Sequence, residues 1–574
     1  MTAIFSSVLQ RLRTRNRGDT EATPSWRPLL SADWLVWAVA MYTAAALNQA
    51  FWRATAATGA FSDHGGWESA LSLALILVGI NVLLVRPLCW KGATKPVLTA
   101  FLLAAVLTSF FSDRYSIYFD VSMARNILKT DAAEAGDLIT SSLLLHVITY
   151  AMAPLVLIWS TRLRRSSILR STVAMFGSIA LALMLVIIAA LISFKDVSAL
   201  MRNNRELRHL VAPANVVVSI TRIAAKELSV DTGPRRVVAP DARLVGHDPE
   251  PKPHVLVLVV GETVRASNWG LNGYARQTTP ELAKLDVVNY PDVRACGSST
   301  EVSLPCIFSA KGRASYNESE IKRSDSLLHV LSRVGIQTLW RDNQGGCKGV
   351  CDGLPFEKVT PRNQIAACPN DDCGDLALLD GLENRVRSSQ EDMVIVLHQL
   401  GNHGPSYYLR YPERLRRFKP DCRSADLGDC TRPEVVNAYD NAILATDELV
   451  SRAIKMLASI DTVDSALLYV SDHGESLGES NLYLHGLPYA IAPDMQMKVP
   501  MAAWLSPGMV RWRGLNMQCV RQRALQPASH DNLFHSALGL MDVSTRAYSR
   551  ELDLFGGCAS RTYNDKNWPR ERYL

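Results

Sequence analysis

Five apolar stretches occupy the first 200 residues, and they restrict the fold more than any other feature of the chain. They run near Trp34 to Trp52, Leu71 to Leu88, Val97 to Phe111, Ile139 to Trp159 and Val173 to Phe194. Most approach the ~20 residues that a bilayer core requires, so we read a five-helix transmembrane domain. Asp113 and Arg114 cut the third span short unless its helix starts before Val97. No comparable run follows, which makes the mean hydropathy of +0.04 an average over two unlike halves. The boundaries expected are 1–200 for a membrane anchor and lipid-binding domain, 201–250 for a connector and 251–574 for an exported catalytic domain.

Basic residues in the short loops orient the spans. Arg11, Arg13, Arg15, Arg17 and Arg27 precede the first span, Arg86, Lys91 and Lys95 follow the second, and Arg162, Arg164, Arg165 and Arg170 follow the fourth. These segments are expected in the cytoplasm. The loops after spans one and three carry no positive excess and are expected outside, so an odd number of spans exports everything after Phe194. The long polar segment before the first span argues for a retained anchor rather than a cleaved signal. The net charge of +6 is partly topological arginine, and it suits an anionic membrane surface better than nucleic acid. A monomer is expected.

Ten of the eleven cysteines lie beyond residue 290, as a disulfide framework in an exported domain would have it. Proximity pairs Cys296 with Cys306, Cys347 with Cys351, Cys368 with Cys373 and Cys422 with Cys430, leaving Cys519 for Cys558. Without repeated CxxC spacing, a zinc-thiolate site is the weaker reading.

After a connector rich in Pro, Gly and charge, short apolar runs alternate with longer periodic segments. That pattern predicts an α/β domain on a largely parallel, buried sheet. The predicted strands are His254 to Val260, Gln337 to Trp340, Met393 to Leu400, Ser465 to Ser471 and Val499 to Leu505. Four polar segments follow them, "GETVRASNWGLNGY", "RDNQGGCKG", "GNHGP" and "DHGESLGESNLYLHG". Beyond the carboxyl ends of parallel strands such segments converge, although they are far apart in the chain.

Glu262, Asp472 and His473 stand at two of these tips. Two carboxylates and an imidazole suit Zn²⁺, with Mn²⁺ possible, and three protein ligands leave one tetrahedral position open. The plain alternative makes Glu262 a helix-terminal acid and His473 a backbone-bonded loop residue. A hydroxyl in the open position would be acidified as metal-bound water is, and could then attack phosphorus. The stretch "ACGSSTEVSLPC" offers Ser298, Ser299, Thr300 and Ser303, and its composition does not choose among them. A turn with serine caps accounts for it equally well. His398, His403 and His485 add proton donors around the rim, and Lys348 is placed to hold an anion.

The motifs "VVGETVRASNWGLNGYARQTTP", "CGSSTEVSLPCIFS", "WRDNQGGCKGVC", "HQLGNHGPSYYLRYP", "NAYDNAILATD" and "YVSDHGESLGESNLYLHGLP", in this order, closely resemble those of the lipid A phosphoethanolamine transferases. That family includes the mobile colistin-resistance enzymes. The resemblance implies an alkaline-phosphatase or sulfatase-like catalytic domain in the periplasm, anchored in a bacterial inner membrane. It implies Thr300 as nucleophile and zinc ligand, with Glu262, Asp472 and His473 as the remaining ligands. It places His403 and His485 near a second zinc or the substrate, in catalytic roles, and Lys348 at the substrate. "NILKTDAAE" matches a substrate motif through Asn126, Thr130 and Glu134, whose i, i+4, i+8 spacing puts them on one helical face. Gln344 and Gly345 depart from the amide and hydroxyl of some members, and Ser298 and Ser299 replace other small residues. The implied reaction moves phosphoethanolamine from phosphatidylethanolamine to a lipid A phosphate, with reduced polymyxin binding as the result. Alternatives are transfer to another glycan, hydrolysis on the same fold, or a non-enzymatic lipid sensor.

Overall fold

Among the described residues, four helices are long and apolar enough to cross a membrane, Gly66–Leu88, Thr94–Tyr115, Ser141–Ser160 and Ile168–Ile192. The computed structural model describes residues 28–61, 66–129, 136, 138–164, 167–228, 233–245, 252–359 and 374–560. In chain order the helices of this half are α1 (Ala32–Ala46), α2 (Gln49–Ala57), α3 (Gly66–Val85), α4 (Thr94–Tyr115), α5 (Val121–Lys129), α6 (Ser141–Ser160), α7 (Ile168–Ile192), α8 (Phe194–Asn203) and α9 (Ala214–Leu228). The third predicted span does start before Val97, at Thr94, which restores its length.

The first predicted span is not one helix. It breaks after the 15 residues of α1, where the Asn48 amide donates to Thr43 O at 2.8 Å and Ala212 O at 3.0 Å and accepts from the Ala212 N–H at 2.8 Å. An asparagine that satisfies backbone groups of a distant segment ends a helix that hydropathy alone would continue. Exposed apolar side chains concentrate on α6 and α7, among them Leu145, Ile148, Leu169 and Leu191, as lipid-facing surfaces require.

The second half is built on an eight-stranded sheet. Its strands are β1 (His254–Gly261), β2 (Val288–Arg294), β3 (Gln337–Asp342), β4 (Phe356–Lys358), β5 (Met393–His398), β6 (Asp464–Ser471), β7 (Lys498–Leu505) and β8 (Ala528–Ser529), in spatial order β8-β2-β7-β6-β1-β5-β3-β4. All five predicted strands are present, and the sheet is parallel except for β7, which runs against both β6 and β2. The central strand reads as an unbroken apolar run because both of its faces are covered. Leu256, Leu258 and Val260 pack into one core layer, and Val255, Val257 and Val259 into the other.

Strand β2 was not predicted. Pro291 interrupts its pattern, and the register against β7 shifts between Val499 and Met501 at that point. A proline at an irregularity near a sheet edge costs little and hides the strand from pattern reading. The omission matters, because β2 delivers the hydroxyl-rich loop that follows it.

The two halves are joined by ion pairs and hydrogen bonds. Arg114 at the end of α4 reaches Asp426 Oδ1 at 3.0 Å and Asp429 Oδ1 at 3.4 Å, and Ser142 at the start of α6 donates to Asp426. Of the predicted disulfides, Cys296–Cys306, Cys347–Cys351, Cys422–Cys430 and Cys519–Cys558 are formed. The fifth, Cys368 with Cys373, lies outside the described residues, as do Thr130 and Glu134.

Candidate active site

Two strand ends and one helix start meet at one buried point. Glu262 follows β1, Asp472 and His473 follow the adjacent β6, and Thr300 opens the helix α10 (Thr300–Ile307), for which Ser299 is the N-cap residue. Thr300 Oγ1 lies 3.1 Å from Glu262 Oε2, 3.3 Å from Glu262 Oε1 and 3.3 Å from His473 Nε2. His473 Nε2 is in turn 3.3 Å from Glu262 Oε1 and 3.4 Å from Asp472 Oδ2. Of the four hydroxyls in the loop, Thr300 is the one brought to this cluster. Ser298 donates to the Leu487 carbonyl and Ser303 to the Gly297 carbonyl.

Local structure aims each group. The His473 Nδ1–H donates to the Gly474 carbonyl at 2.9 Å, which leaves Nε2 facing Thr300. Asp472 Oδ1 accepts the amides of Thr263 at 3.1 Å and His473 at 2.7 Å. Its other oxygen, Oδ2, is buried with no hydrogen-bond partner. Gly401 sits at φ +49°, where a Cβ would come within 2.8 Å of Glu262 O, so only glycine lets this loop close over Glu262. Asp375 holds the loop by accepting the Leu400 and Gly401 amides, each at 2.8 Å.

The electrostatics describe a cation site. Burial and the neighbouring Glu262 push Asp472 up to about 7. Burial acts against the His473 imidazolium, but Asp472 and Glu262 outweigh it and raise that group to about 10. Burial likewise acts against the Glu262 carboxylate, yet His473, His403 and His485 hold it well below its usual range. Two buried carboxylates that must recruit protons for balance are matched equally well by a divalent ion. The orphaned Asp472 Oδ2 and the convergence of Glu262, Asp472 and His473 ligand atoms within 4.8 Å of one another fit such an ion. Glu262, His403 and His485 form a second group meeting the same distance.

A cavity of about 220 Å³ opens beside Thr300. Its polar wall includes Thr300, Lys348, His403 and His485, and its apolar wall is supplied by Phe111, Ile117, Phe119 and Met123 of the membrane half together with Leu484. Asn126 lines it as well. Lys348 is held in the Cys347–Cys351 loop at φ +48°.

The family model described as Sulfatase matches residues 254–543, and that described as phosphoethanolamine transferase EptA/EptB matches residues 77–228. Phosphoethanolamine transferase EptA of Escherichia coli (strain K12) is 36% identical over 528 residues, covering 92% of this chain and 96% of that protein. The chain belongs to the EptA family. Phosphatidylethanolamine transferase Mcr-1 of Escherichia coli is 36% identical over 482 residues, 82% of this chain and 89% of that one. The integral membrane lipooligosaccharide phosphoethanolamine transferase A of Neisseria meningitidis superposes with a TM-score of 0.87 at 33% identity, covering 93% of this chain and all of that one. The EptA-family fold therefore extends through both halves.

Within this EptA-family site, one expectation needs correction and several residues were missed. His398 is not on the rim. It ends β5 fully buried, with Nδ1 2.7 Å from Asp342 Oδ1, because the last residue of a central strand still points into the core. Glu475, unnoticed in "DHGE", is buried with Oε1 3.2 Å from His485 Nδ1 and Oε2 accepting from Tyr407 at 3.0 Å. Burial pushes its carboxyl up to about 8. Gln344 donates to Glu262 Oε2 at 3.1 Å, so it supports the cluster as well as lining the cavity. His530 lies far along the chain, and no local pattern could have found it.

Proposed function

We propose that this chain is an inner-membrane transferase that moves phosphoethanolamine from phosphatidylethanolamine to a lipid A phosphate, with Zn²⁺ held by Glu262, Thr300, Asp472 and His473. The observation that carries the reading is the position of Thr300 Oγ1, at 3.1 to 3.3 Å from the buried Glu262 and His473 and open to a mostly apolar cavity shared with the membrane half. When bound, the zinc supplies a Lewis acid that favours the ionised threonine oxygen near neutral pH.

In the first step Thr300 Oγ forms a bond to phosphorus as the bond to the diacylglycerol oxygen breaks. His403 or His485 gives that leaving oxygen a proton, which balances the one lost by Thr300. Lys348 holds the phosphoryl oxygens, and the α10 amides face the phosphothreonine. In the second step a lipid A phosphate oxygen attacks the same phosphorus, and the threonine oxygen leaves and regains its proton. The apolar cavity wall and Asn126 hold lipid donors where the reacting atoms meet, and Thr130 and Glu134 extend the same motif.

Five membrane crossings suit this arrangement. Leu29, ahead of α1, pairs with Arg162 beyond the end of α6, whereas Arg53 of α2 pairs with Asp113 at 2.7 Å, next to the Arg114 that binds the catalytic half. The α1–α2 pair thus traverses the bundle toward the catalytic side, and the basic loops put that side in the periplasm. We assign 1–200 as anchor, 201–250 as connector and 251–574 as catalytic domain, acting as a monomer with a second zinc at Glu262, His403 and His485 during turnover.

Adding an amine to lipid A offsets negative charge and weakens binding of polymyxin. Mass spectrometry of lipid A from cells expressing the chain tests the assignment. A phosphoethanolamine mass absent from the Thr300→Ala strain supports it. Free phosphoethanolamine with unmodified lipid A would make the protein a hydrolase instead.

A further inference from the structure

Four alternating charges run in line from the membrane half to the nucleophile. Arg125, on α5 and 8% exposed, pairs with Glu318, and Glu318 lies 3.2 Å from Lys322 at the other end of α11 (Glu318–Lys322). Lys322 then pairs with Glu301, 5% exposed and next in sequence to Thr300. The line sums to zero charge, with Arg125 and Glu301 buried at its ends and Glu318 and Lys322 partly exposed between them. A second contact reaches the other side of the site. Gly486, beside His485, approaches α5 so closely that a Cβ there would lie 2.8 Å from Met123 Cε and 3.7 Å from Asn126 Nδ2. The Gly486 amide donates to the Ser298 carbonyl at 2.7 Å, which ties that loop to the nucleophile loop.

We propose that Arg125 is a positioning residue that clamps α5 across the mouth of the cavity, so that the wall bearing Met123 and Asn126 faces Thr300. Removing the Arg125 charge leaves Lys322 as the one cation of the line against Glu318 and Glu301, whereas lysine at 125 keeps the charge. The clamp governs a lipid donor, which must lie between α5 and α10. It does not govern a small donor that needs only Thr300 and its neighbours. The rate readout rests on the transferase reading above, and the structural readout does not.

The test uses the full-length protein as wild type, Arg125→Gln and Arg125→Lys, with two donors, phosphatidylethanolamine and a water-soluble nitrophenyl ester of phosphoethanolamine. Arg125→Gln is expected to lose about tenfold with the lipid and to stay within about twofold with the soluble ester, and Arg125→Lys to recover most of the loss. Amide exchange over residues 298–307 is expected to quicken in Arg125→Gln and to return in Arg125→Lys. Equal losses on both donors, an unchanged lipid rate or unchanged exchange would each overturn the clamp. If wild type uses neither donor, the transferase reading fails, and the exchange measurement still decides the clamp.

Discussion

His530 makes the site sensitive to acid. Its Nδ1 accepts the Cys296 amide at 3.0 Å, and its Nε2–H donates to the Ser471 carbonyl at 2.9 Å. One neutral imidazole thus bridges the nucleophile loop and the strand that delivers Asp472. Burial is the main cause of its low pKa of about 4, and the charge on His473 lowers it further. Protonation would turn the acceptor for Cys296 into a donor facing a donor. With about 6.5 in the unfolded chain, the unfolded state binds the extra proton between pH 6.5 and 4, so the stabilisation is full above that window and is lost as pH falls through it. The loss amounts to about 2 kcal/mol at pH 5 and about 3 kcal/mol at pH 4. The assay is denaturant unfolding of the detergent-solubilised protein from pH 8 to pH 4, wild type beside His530→Gln, so that every other acid-labile group cancels. Wild type should start more stable and lose its advantage across the window. Parallel decline of the two proteins would refute the reasoning.

Other perturbations have equally definite outcomes. Gly401→Ala should cost about 1–2 kcal/mol from positive φ alone, and its Cβ should displace Glu262, so melting temperature and bound zinc fall together. Replacing Cys296 and Cys306 by serine opens a loop with a sequence separation of 10, which should cost about 2–3 kcal/mol in denaturant unfolding and lower the transfer rate more than stability alone explains. Glu475→Gln keeps the shape but replaces the titratable carboxyl beside His485 Nδ1 by an amide. The transfer rate should fall about tenfold or more with zinc content unchanged, and an unchanged rate would remove Glu475 from the mechanism.

Much of this architecture was legible where residues act through local pattern. The double-sided burial of β1 shows as an unbroken apolar run, and the carboxyl ends of β1, β5 and β6 show as Gly-rich polar segments. Thr300 was different. Composition left four hydroxyls open, and only the motif resemblance selected the one that the structure brings to Glu262 and His473. Asn48 broke a span that hydropathy joined, because its partner Ala212 is remote in the chain. Pro291 hid β2 for a similar reason, since a proline's tolerance depends on which strand lies beside it. His530, Glu475 and Arg125 act through contacts that form only after folding, and their own neighbours in sequence carry no sign of them.

The central claim is covalent transfer through Thr300, and the mass of the active-site peptide tests it most directly. Purified, zinc-loaded protein would be incubated with phosphatidylethanolamine in the absence of lipid A, then digested and analysed by mass spectrometry. A phosphoethanolamine group on Thr300 that disappears when lipid A is added is the predicted result. An unmodified Thr300 while lipid A is being modified, or the group on another residue, would contradict the account.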